Sequence, residues 1–457
     1  MSSATSRRAV LALPGISLGY FMILLDTTVL SVAEPDLARS LDTPVAGLQW
    51  AVTGYTVAFG ALLLSAGAVA DRYGAHRVFR AGIAVFGLGS LLSALAPDLW
   101  TLVALRALLG VAAAACVPAS MAMIARLHPE PAARARAVAV WAATSGAALA
   151  AGPIAGGLLV GLAGWRAIFL INVPLAVLTL ALTAGPAVRC PRGDRGVAWA
   201  AQLAMCAVLG LATDAIIALG SGAAAHAGCS AAGATAAGAL FAALNRRGPA
   251  PVIPREAVRA PGMRAALLAG AAVNFTMTGV LFVLPLVFQR DLRLTPLDTG
   301  LAFLPMTLPF AVNPLLTGRV VARRGARLPV TAGLVLLVAG GLVYGAAIAA
   351  GPSYPALLAG LLCTGFGVSF ALPALVTMVV AAAPEGAAGA AGGLLNAVRQ
   401  AGATFGVAIM GIFVTAGPAG TGDRTAWAPL TAAAVCAAAA GVLLHGGRTA
   451  DSHGLKS

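Results

Sequence analysis

Long apolar segments recur along the whole sequence, and they restrict the possible folds more than any other feature. Fourteen windows of about 20 residues are apolar enough to cross the hydrocarbon core of a bilayer. In lipid only helices and closed barrels satisfy every backbone hydrogen bond, and segments of this length fit helices. With 60% hydrophobic and 10% charged residues, the sequence predicts an all-α integral membrane protein. The windows are residues 10–33, 47–70, 78–96, 100–124, 137–160, 165–186, 198–219, 223–244, 265–288, 299–318, 328–350, 354–381, 391–415 and 426–445.

The distribution of basic residues predicts the topology. The net charge is +14, yet most Lys and Arg residues lie in the two tails and in every second gap between windows. This positive-inside pattern places both termini in the cytoplasm, so the charge reflects topology and does not indicate a nucleic-acid partner. The remaining gaps hold only Arg39, Arg166, Arg290, Arg293 and Arg424.

The segment between residues 197 and 244 decides between twelve and fourteen crossings. It contains no Lys or Arg, whereas arginines flank it on both sides. Both flanks are therefore expected in the cytoplasm, with an even number of crossings between them. We predict two helices there and fourteen crossings in all. The predicted domains are a six-helix bundle at 1–186, two additional helices with cytoplasmic linkers at 187–264, a six-helix bundle at 265–445 and a cytoplasmic tail at 446–457.

The first window contains an acid, in the stretch LLDTTVLSVAEPDL at 24–37. At about 1.5 Å rise per helical residue, Asp26 lies past the middle of this window. A charge at that depth is costly, so Asp26 needs a partner, water or a proton. Because desolvation favours the neutral form of a carboxylate, we predict that Asp26 carries a proton. The alternative is a structural aspartate that is hydrogen-bonded or paired.

A second charge lies in the fourth window, at Arg106. Arginine does not release its proton in proteins, so Arg106 is not the proton carrier. We predict that it pairs with a carboxylate or another polar group and adjusts proton release from Asp26. A purely structural ion pair is the alternative.

An internal repeat indicates a duplicated bundle. The gap after the second window reads GAVADRYGAHR at 67–77, and the gap after the tenth reads GRVVARRGAR at 318–327. Gly67 and Gly74 have the same spacing as Gly318 and Gly325. Equivalent cytoplasmic loops in two halves are typical of secondary transporters built from repeats.

With these motifs the chain resembles the major facilitator superfamily, specifically its fourteen-helix drug:proton antiporter branch, over essentially its whole length. The loop at 67–77 has the GxxxDRxGxxR form of the superfamily, and LVALRALLG with Arg106 resembles its fourth-helix motif. LDTTVLSVAEP resembles the first-helix motif of the branch, although Glu34 replaces a usual leucine. AAGPIAGG at 150–157, WRAIFLINVP at 165–174 and GLLNAVRQAGATFG at 393–406 are similar to motifs of helices five, six and thirteen.

The resemblance implies two pseudo-symmetric six-helix bundles with two extra central helices. It implies a gating role for the cytoplasmic loop, in which a glycine turn positions an acid against a neighbouring helix. It also implies that the fifth helix seals against a partner helix in antiporters. The gating residues would be Gly67, Asp71, Arg72, Gly74 and Arg77, and the antiporter helix motif would be Gly152, Pro153, Gly156 and Gly157.

The energy source is predicted to be a proton gradient. The only lysine is Lys456, so the chain contains no phosphate-binding G-x-x-x-x-G-K-[ST] loop. The expected function is proton-coupled efflux of a drug or antibiotic by alternating access, similar to resistance exporters of antibiotic-producing bacteria. We expect no enzymatic activity, no cofactor and no metal, since the six cysteines and five histidines show no metal-ligand spacing.

Three other functions remain open at this stage. Proton-coupled symport of a small metabolite is one, and the fifth-helix motif argues against it. A polytopic membrane enzyme would need a His/Asp or carboxylate cluster, which the scattered histidines do not form. A channel would lack both the duplicated loop and a buried titratable acid.

Further candidate residues are expected in a substrate cavity and at charged positions inside or beside the windows. A mostly apolar cavity with few polar groups suits an amphipathic ligand; Trp50, Tyr55, Asn274 and Phe275 are its candidate lining residues, and ordinary packing is the alternative. Glu34 would lie near the outer mouth, as a coupling acid or merely a solvated one. Asp214, late in the seventh window, and Arg399, in the thirteenth, are candidates of the same kind, with a structural role as the alternative.

The expected partners are a small amphipathic molecule or antibiotic, protons and the lipid bilayer. We expect a monomer in the cytoplasmic membrane of a bacterium, with several crossings.

The loops at 187–197 and 245–264 test the topology. Both are expected in the cytoplasm, because two helices separate them. Single cysteines introduced there should react with an impermeant maleimide in everted vesicles and not in intact cells. Labelling of one loop from the outside would contradict the fourteen-helix count.

Overall fold

The computed structural model describes residues 3–185, 188–193, 196–247, 252–253, 261–383, 388–414 and 424–454. These residues are helical almost throughout, so the predicted all-α class is confirmed. A short 3₁₀ turn, Arg424–Ala426, precedes the last helix. The helices are α1 (Ser3–Ser40), α2 (Val45–Tyr73), α3 (Ala75–Ala94), α4 (Leu99–Leu127), α5 (Pro131–Ala163), α6 (Ala167–Leu170), α7 (Asn172–Leu182), α8 (Trp199–Gly220), α9 (Ala224–Arg247), α10 (Pro261–Arg290), α11 (Pro296–Ala302), α12 (Leu304–Arg324), α13 (Arg327–Ala349), α14 (Tyr354–Ala382), α15 (Ala388–Ile412) and α16 (Trp427–Gly454).

Eleven helices in the described part of the chain are long and apolar enough to cross a membrane. The fourteen predicted crossings are therefore not confirmed as a number. The three remaining windows correspond to α6 with α7, to α11 with α12, and to α15. In α15 the polar side chains of Asn396, Arg399 and Gln400 lower the mean hydropathy.

Two of those three segments are interrupted helices, and proline explains both interruptions. Pro174 lies in the first turn of α7 and Pro305 in the first turn of α12. Proline has no N–H, so it cannot donate to the carbonyl four residues earlier and favours the start of a helix over its interior. The preceding segments α6 and α11 consequently end just before these positions.

The chain divides into two compact units. Unit 1 consists of the chain up to Ala207, with Gly238–Val252 and Thr295–Leu301; unit 2 consists of Val208–Ala237, Ile253–Leu294 and the chain from Ala302 onward. The predicted central segment 187–264 thus contributes to both units. Its linker residues 187, 194–195, 248–251 and 254–260 lie outside the described residues, as do residues 455–457 of the predicted tail.

The same set of helix contacts occurs inside each unit. In unit 1, α1 packs on α5 and α7, α4 packs on α2 and α3, and α3 packs on α7. In unit 2, α10 packs on α15 and α16, α14 packs on α12 and α13, and α13 packs on α16. These pairings correspond one to one when α10 is matched with α1. The duplication indicated by the loop repeat therefore extends to the packing of six helical segments in each unit.

Small residues let α1 and α5 approach closely. A Cβ at Gly156 would lie 2.6 Å from the carbonyl oxygen of Val29, and a Cβ at Gly152 would lie 2.7 Å from Cβ of Thr28. Such contacts are too short for any side chain larger than hydrogen. In lipid, where apolar burial gives little drive for helix association, this close van der Waals packing stabilises a helix pair.

Gly156→Ala is expected to lower the melting temperature of the detergent-solubilised protein. The added methyl group forces α1 and α5 apart, and overpacking of this kind costs about 1–3 kcal/mol. Gly161→Ala is the matched control on the same helix, because a Cβ at Gly161 meets nothing within 4 Å. That control should match or exceed the wild-type melting temperature, since alanine favours helix over glycine. Equal melting temperatures for the two variants would show that the close contact of Gly156 with Val29 does not stabilise the protein.

Candidate functional site

A buried ion pair joins α1 to α4 in unit 1. The side chains of Asp26 and Arg106 are 1% and 2% exposed, and Nη1 of Arg106 donates to Oδ2 of Asp26. The two residues that the sequence singled out for their depth in the membrane are therefore in direct contact. Taking two charges out of water is expensive, so such a pair requires further hydrogen bonds around it.

Those further hydrogen bonds come from three other helices. Asn172, the first residue of α7, donates through Nδ2 to Oδ1 of Asp26 at 3.0 Å and to Oγ of Ser90 on α3 at 3.2 Å. Nε of Arg106 donates to the carbonyl oxygen of Ala51 on α2 at 3.2 Å. Each oxygen of the Asp26 carboxylate thus has its own donor, and residues from α1, α2, α3, α4 and α7 form one network.

Aromatic rings enclose the guanidinium group. Cζ of Arg106 lies 4.6 Å from the ring centroid of Tyr55 and 5.9 Å from that of Phe169. Tyr55 is fully buried, and its hydroxyl donates to the carbonyl oxygen of Ile23 at 3.5 Å. The structure therefore places Tyr55, a candidate cavity residue, against the ion pair. Cation–π contact stabilises a desolvated guanidinium.

Sequence reasoning did not identify Asn172. The residue lies in the WRAIFLINVP stretch, which was noted only as a resemblance. An available signal was an amide inside an apolar window, two residues before the proline that interrupts the helix. Buried amides need hydrogen-bond partners; Nδ2 of Asn172 finds them in Asp26 and Ser90, whereas its Oδ1 accepts from none of the described residues.

This arrangement limits which group can exchange a proton. Arg106 stays charged at all relevant pH values, and Asn172 and Ser90 do not titrate. Of these four hydrogen-bonded side chains, Asp26 is therefore the one with a group that can accept a proton.

The cytoplasmic loop of the repeat forms a sharp turn. Gly74 has φ of +91° and Gly325, its counterpart in the second copy, has φ of +77°. Glycine adopts this left-handed region without steric cost, which explains the residue at both positions. Gly67 has open space around it, so packing does not require a glycine there.

The charged residues of this loop lie at the protein surface. Asp71, Arg72 and Arg77 are exposed. The backbone carbonyl of Asp71 accepts a hydrogen bond of 2.8 Å from the N–H of Gly193, and Arg72 lies 5.8 Å from the ring centroid of Tyr73. Within unit 1, the loop is therefore tied to the segment that follows α7.

The motif on α5 contacts α1 on one side and α11 on another. Gly152 and Gly156 face α1, as described above. A Cβ at Gly157 would collide with the carbonyl oxygen of Pro296, and one at Gly300 would collide with that of Pro153. Glycines on both helices thus give α5 and α11 backbone contact inside unit 1.

Three other candidates, Asn274, Phe275 and Arg399, are placed separately, in unit 2. Oδ1 of Asn274 accepts a hydrogen bond of 3.0 Å from Nε of Arg399, whose Nη1 donates to Oδ1 of Asn396 at 2.9 Å. Phe275 lines an apolar groove of about 510 Å³ formed by α8, α9, α10 and α15. Trp50, in unit 1, is partly buried on α2.

The two remaining acids differ in their surroundings. Oδ2 of Asp214 accepts a hydrogen bond from Oγ of Ser230 at 2.5 Å and lies 2.6 Å from Nε2 of His226, so this acid belongs to the contact between α8 and α9. Glu34 is only 2% exposed. Glu34 is therefore buried, whereas Asp42, eight residues later in the sequence, is exposed.

Comparison with known proteins identifies a family. The family model described as Major Facilitator Superfamily matches residues 16–407 and 266–456. Multidrug resistance protein Stp of Mycobacterium tuberculosis is 33% identical over 423 residues, covering 90% of this chain and 77% of its own length. A methylenomycin A resistance protein of Streptomyces coelicolor is 35% identical, covering 87% and 84%. A puromycin resistance protein of Streptomyces alboniger is 34% identical, covering 85% and 78%.

Solved structures support the fold at lower sequence identity. A bacterial homologue of the human lysosomal transporter Spinster aligns with a TM-score of 0.70 at 15% identity, covering 98% of both chains. The xylose transporter XylE from E. coli aligns with a TM-score of 0.63 at 15% identity, covering 94% of this chain and 97% of its own.

A double-mutant cycle tests the energetic link between the paired charges. Arg106→Ala should destabilise the protein by about 3–5 kcal/mol, because it leaves an uncompensated buried charge. Adding Asp26→Asn removes that charge, so the double variant should be more stable than the sum of the two single losses predicts. Unfolding of the solubilised protein in denaturant measures all three values.

The control for this cycle is Arg39→Ala, which breaks an exposed pair of Arg39 with Asp36. It should cost at most about 1 kcal/mol. Strictly additive losses for Asp26→Asn and Arg106→Ala would show that the two side chains do not stabilise each other.

Proposed function

The chain belongs to the Major Facilitator Superfamily, and from this premise we propose that it exports small, mainly apolar drugs or antibiotics in exchange for protons. Membership of this family marks it as a transporter rather than an enzyme. The curated relatives support the substrate class, since they are named as multidrug or antibiotic resistance proteins.

The buried Asp26–Arg106 pair is the observation that carries the proton coupling. Two opposite charges attract strongly in a low-dielectric interior, so the ionised pair holds α1 and α4 together. Protonation of Asp26 leaves Arg106 without its counter-ion, and its remaining contacts are the carbonyl oxygen of Ala51 and the rings of Tyr55 and Phe169. The preferred arrangement of the two helices then depends on whether Asp26 holds a proton.

Asn172 keeps the carboxyl group in place through this exchange. Its amide donates to Oδ1 of Asp26, and the ion pair uses Oδ2. A proton on Oδ2 therefore replaces the arginine without disturbing the amide. This geometry favours repeated protonation and release at one oxygen.

The α5 and loop motifs are assigned roles in alternating access. The glycine contacts of α5 with α1 and α11 permit close packing between helix surfaces that have no protruding side chains there. These helices can therefore slide past one another, and their contacts can break and re-form during transport. The turn at Gly74 fixes the cytoplasmic ends of α2 and α3, and we assign the gating role to Asp71, Arg72 and Arg77 beside it.

We assign fourteen crossings by counting α6 with α7 and α11 with α12 as one crossing each and including α15. Both termini then lie in the cytoplasm, in agreement with the distribution of basic residues. We propose that the transporter works as a monomer.

Asp26→Asn should abolish proton-coupled export, because an amide neither binds nor releases a proton in the physiological pH range. In energised everted vesicles, puromycin added outside should cause proton release with the wild type and none with the variant, as measured by a fluorescent pH indicator. Asp42→Asn is the matched control: Asp42 is an exposed loop residue, and asparagine tolerates its φ of +45°.

Two outcomes would overturn this proposal. Puromycin export by Asp26→Asn at the wild-type rate under a pH gradient would remove Asp26 from coupling. Movement of protons and puromycin in the same direction would assign the protein to the symporters.

A further inference from the structure

Glu34 is a buried acid without a visible partner. Among the described acids, only Asp26 and Glu34 are buried. Asp26 is bonded to Arg106 and Asn172, whereas Oε2 of Glu34 has no hydrogen-bond partner. No salt bridge among the described residues includes Glu34.

The cations at the end of unit 1 that contains Glu34 have other partners. Nη2 of Arg39 lies 3.3 Å from Oδ1 of Asp36. Arg166 donates to the carbonyl oxygen of Ala96 at 3.2 Å and stacks on Trp165, with Cζ 4.3 Å from the ring centroid. A carboxylate at Glu34 would therefore be an uncompensated buried charge, which is far more costly than a neutral carboxyl group.

The helices packed against α1 supply no further cation at the depth of Glu34 within the described residues. α1 contacts α2, α4, α5, α6 and α7. The basic residues of α5 lie near its cytoplasmic start, at Arg134 and Arg136, and α6 and α7 contain none. The titratable and charged groups at the outer ends of these elements and in their loops are Asp36, Arg39, Asp42, Asp98 and Arg166, with the Asp26–Arg106 pair deeper in the unit.

Glu34 and Asp26 occupy different depths on one helix. They are eight residues apart on α1, about 12 Å at the helical rise. Glu34 lies nearer to Ser40, the end of α1 that the positive-inside pattern places outside. The distance is too long for direct proton transfer, so each acid must exchange its proton with water separately.

A purely structural role does not account for this residue. A buried carboxyl group that stabilises a fold does so through hydrogen bonds, and leaving an oxygen unsatisfied costs about 1–3 kcal/mol. An apolar side chain of similar volume would fill the same space without that cost. An unsatisfied buried polar group in a native structure requires an explanation, and for an ionisable carboxyl group a chemical role is one such explanation.

We propose that Glu34 is a second proton-binding site of the transporter, on the outer side of the Asp26–Arg106 pair, and that each export cycle exchanges two protons. The proton binds a Glu34 carboxylate oxygen as O–H when the site is sealed. It leaves to water when the transport cycle hydrates the site, and water supplies its replacement. This inference rests on the proposed proton-coupled export and adds its stoichiometry.

The first experiment measures the proton-to-puromycin ratio. Everted vesicles containing the wild type, Glu34→Gln or the control Asp42→Asn receive labelled puromycin, and proton release and puromycin uptake are recorded together. We expect the ratio to fall two-fold in Glu34→Gln and to stay at the wild-type value in Asp42→Asn. Glu34→Leu, which also removes the acid, should give the same halved ratio.

An unchanged ratio in both Glu34 variants would overturn the second proton site while leaving proton-coupled export intact. Absence of proton release from the wild type would instead refute the proposed function. The two failures are therefore distinguishable.

The second experiment needs no substrate. Infrared difference spectra of the purified protein, wild type minus Glu34→Gln, should contain the carbonyl stretch of a protonated carboxyl group at neutral pH. The band should disappear in a single titration as the pH is raised, since the proton must be exchangeable. Carboxylate bands at neutral pH, or a carbonyl band that no pH removes, would overturn the inference whether or not puromycin is transported.

Discussion

The attraction between Asp26 and Arg106 is the interaction on which the site depends. Neither charge is tolerated alone in an apolar bundle, because an unpaired buried ion costs several kcal/mol. Together with the amide of Asn172 and the carbonyl of Ala51, they satisfy one another. Residues from five helices therefore form the network around the pair.

Close backbone packing complements this electrostatic centre. In lipid the hydrophobic effect contributes little to helix association, so van der Waals contact area and shape complementarity determine which helices pair. Glycines at 152 and 156 bring α5 against α1, the helix that carries Asp26. Asp26, the proposed coupling acid, therefore lies on a helix whose position is set by contacts that only glycine permits.

Particular residues show how far sequence reasoning reached. The membrane class, the duplication and the depth of Asp26 and Arg106 followed from hydropathy, repeat spacing and charge, all of which are local properties. The left-handed turns at Gly74 and Gly325 agree with the tight turn expected of the repeat. Asn172 was missed because an amide in an apolar segment gives no sign of which carboxylate it will meet. The number of crossings was not confirmed, because proline breaks and polar residues make three segments weak candidates by length and hydropathy.

The sequence by itself determined that this chain is a helical membrane protein with two related halves and with charges placed where lipid would exclude them. The membrane class and the cost of the charges need only the free energy of moving each side chain out of water, and the duplication needs only the spacing of residues along the chain. Only the tertiary structure decided that Arg106 pairs with Asp26, that Tyr55 stacks on the guanidinium and that Glu34 is buried with an unsatisfied oxygen. The partners and the burial of a side chain depend on which distant helices pack together. Hydropathy along the chain does not specify which helices these are.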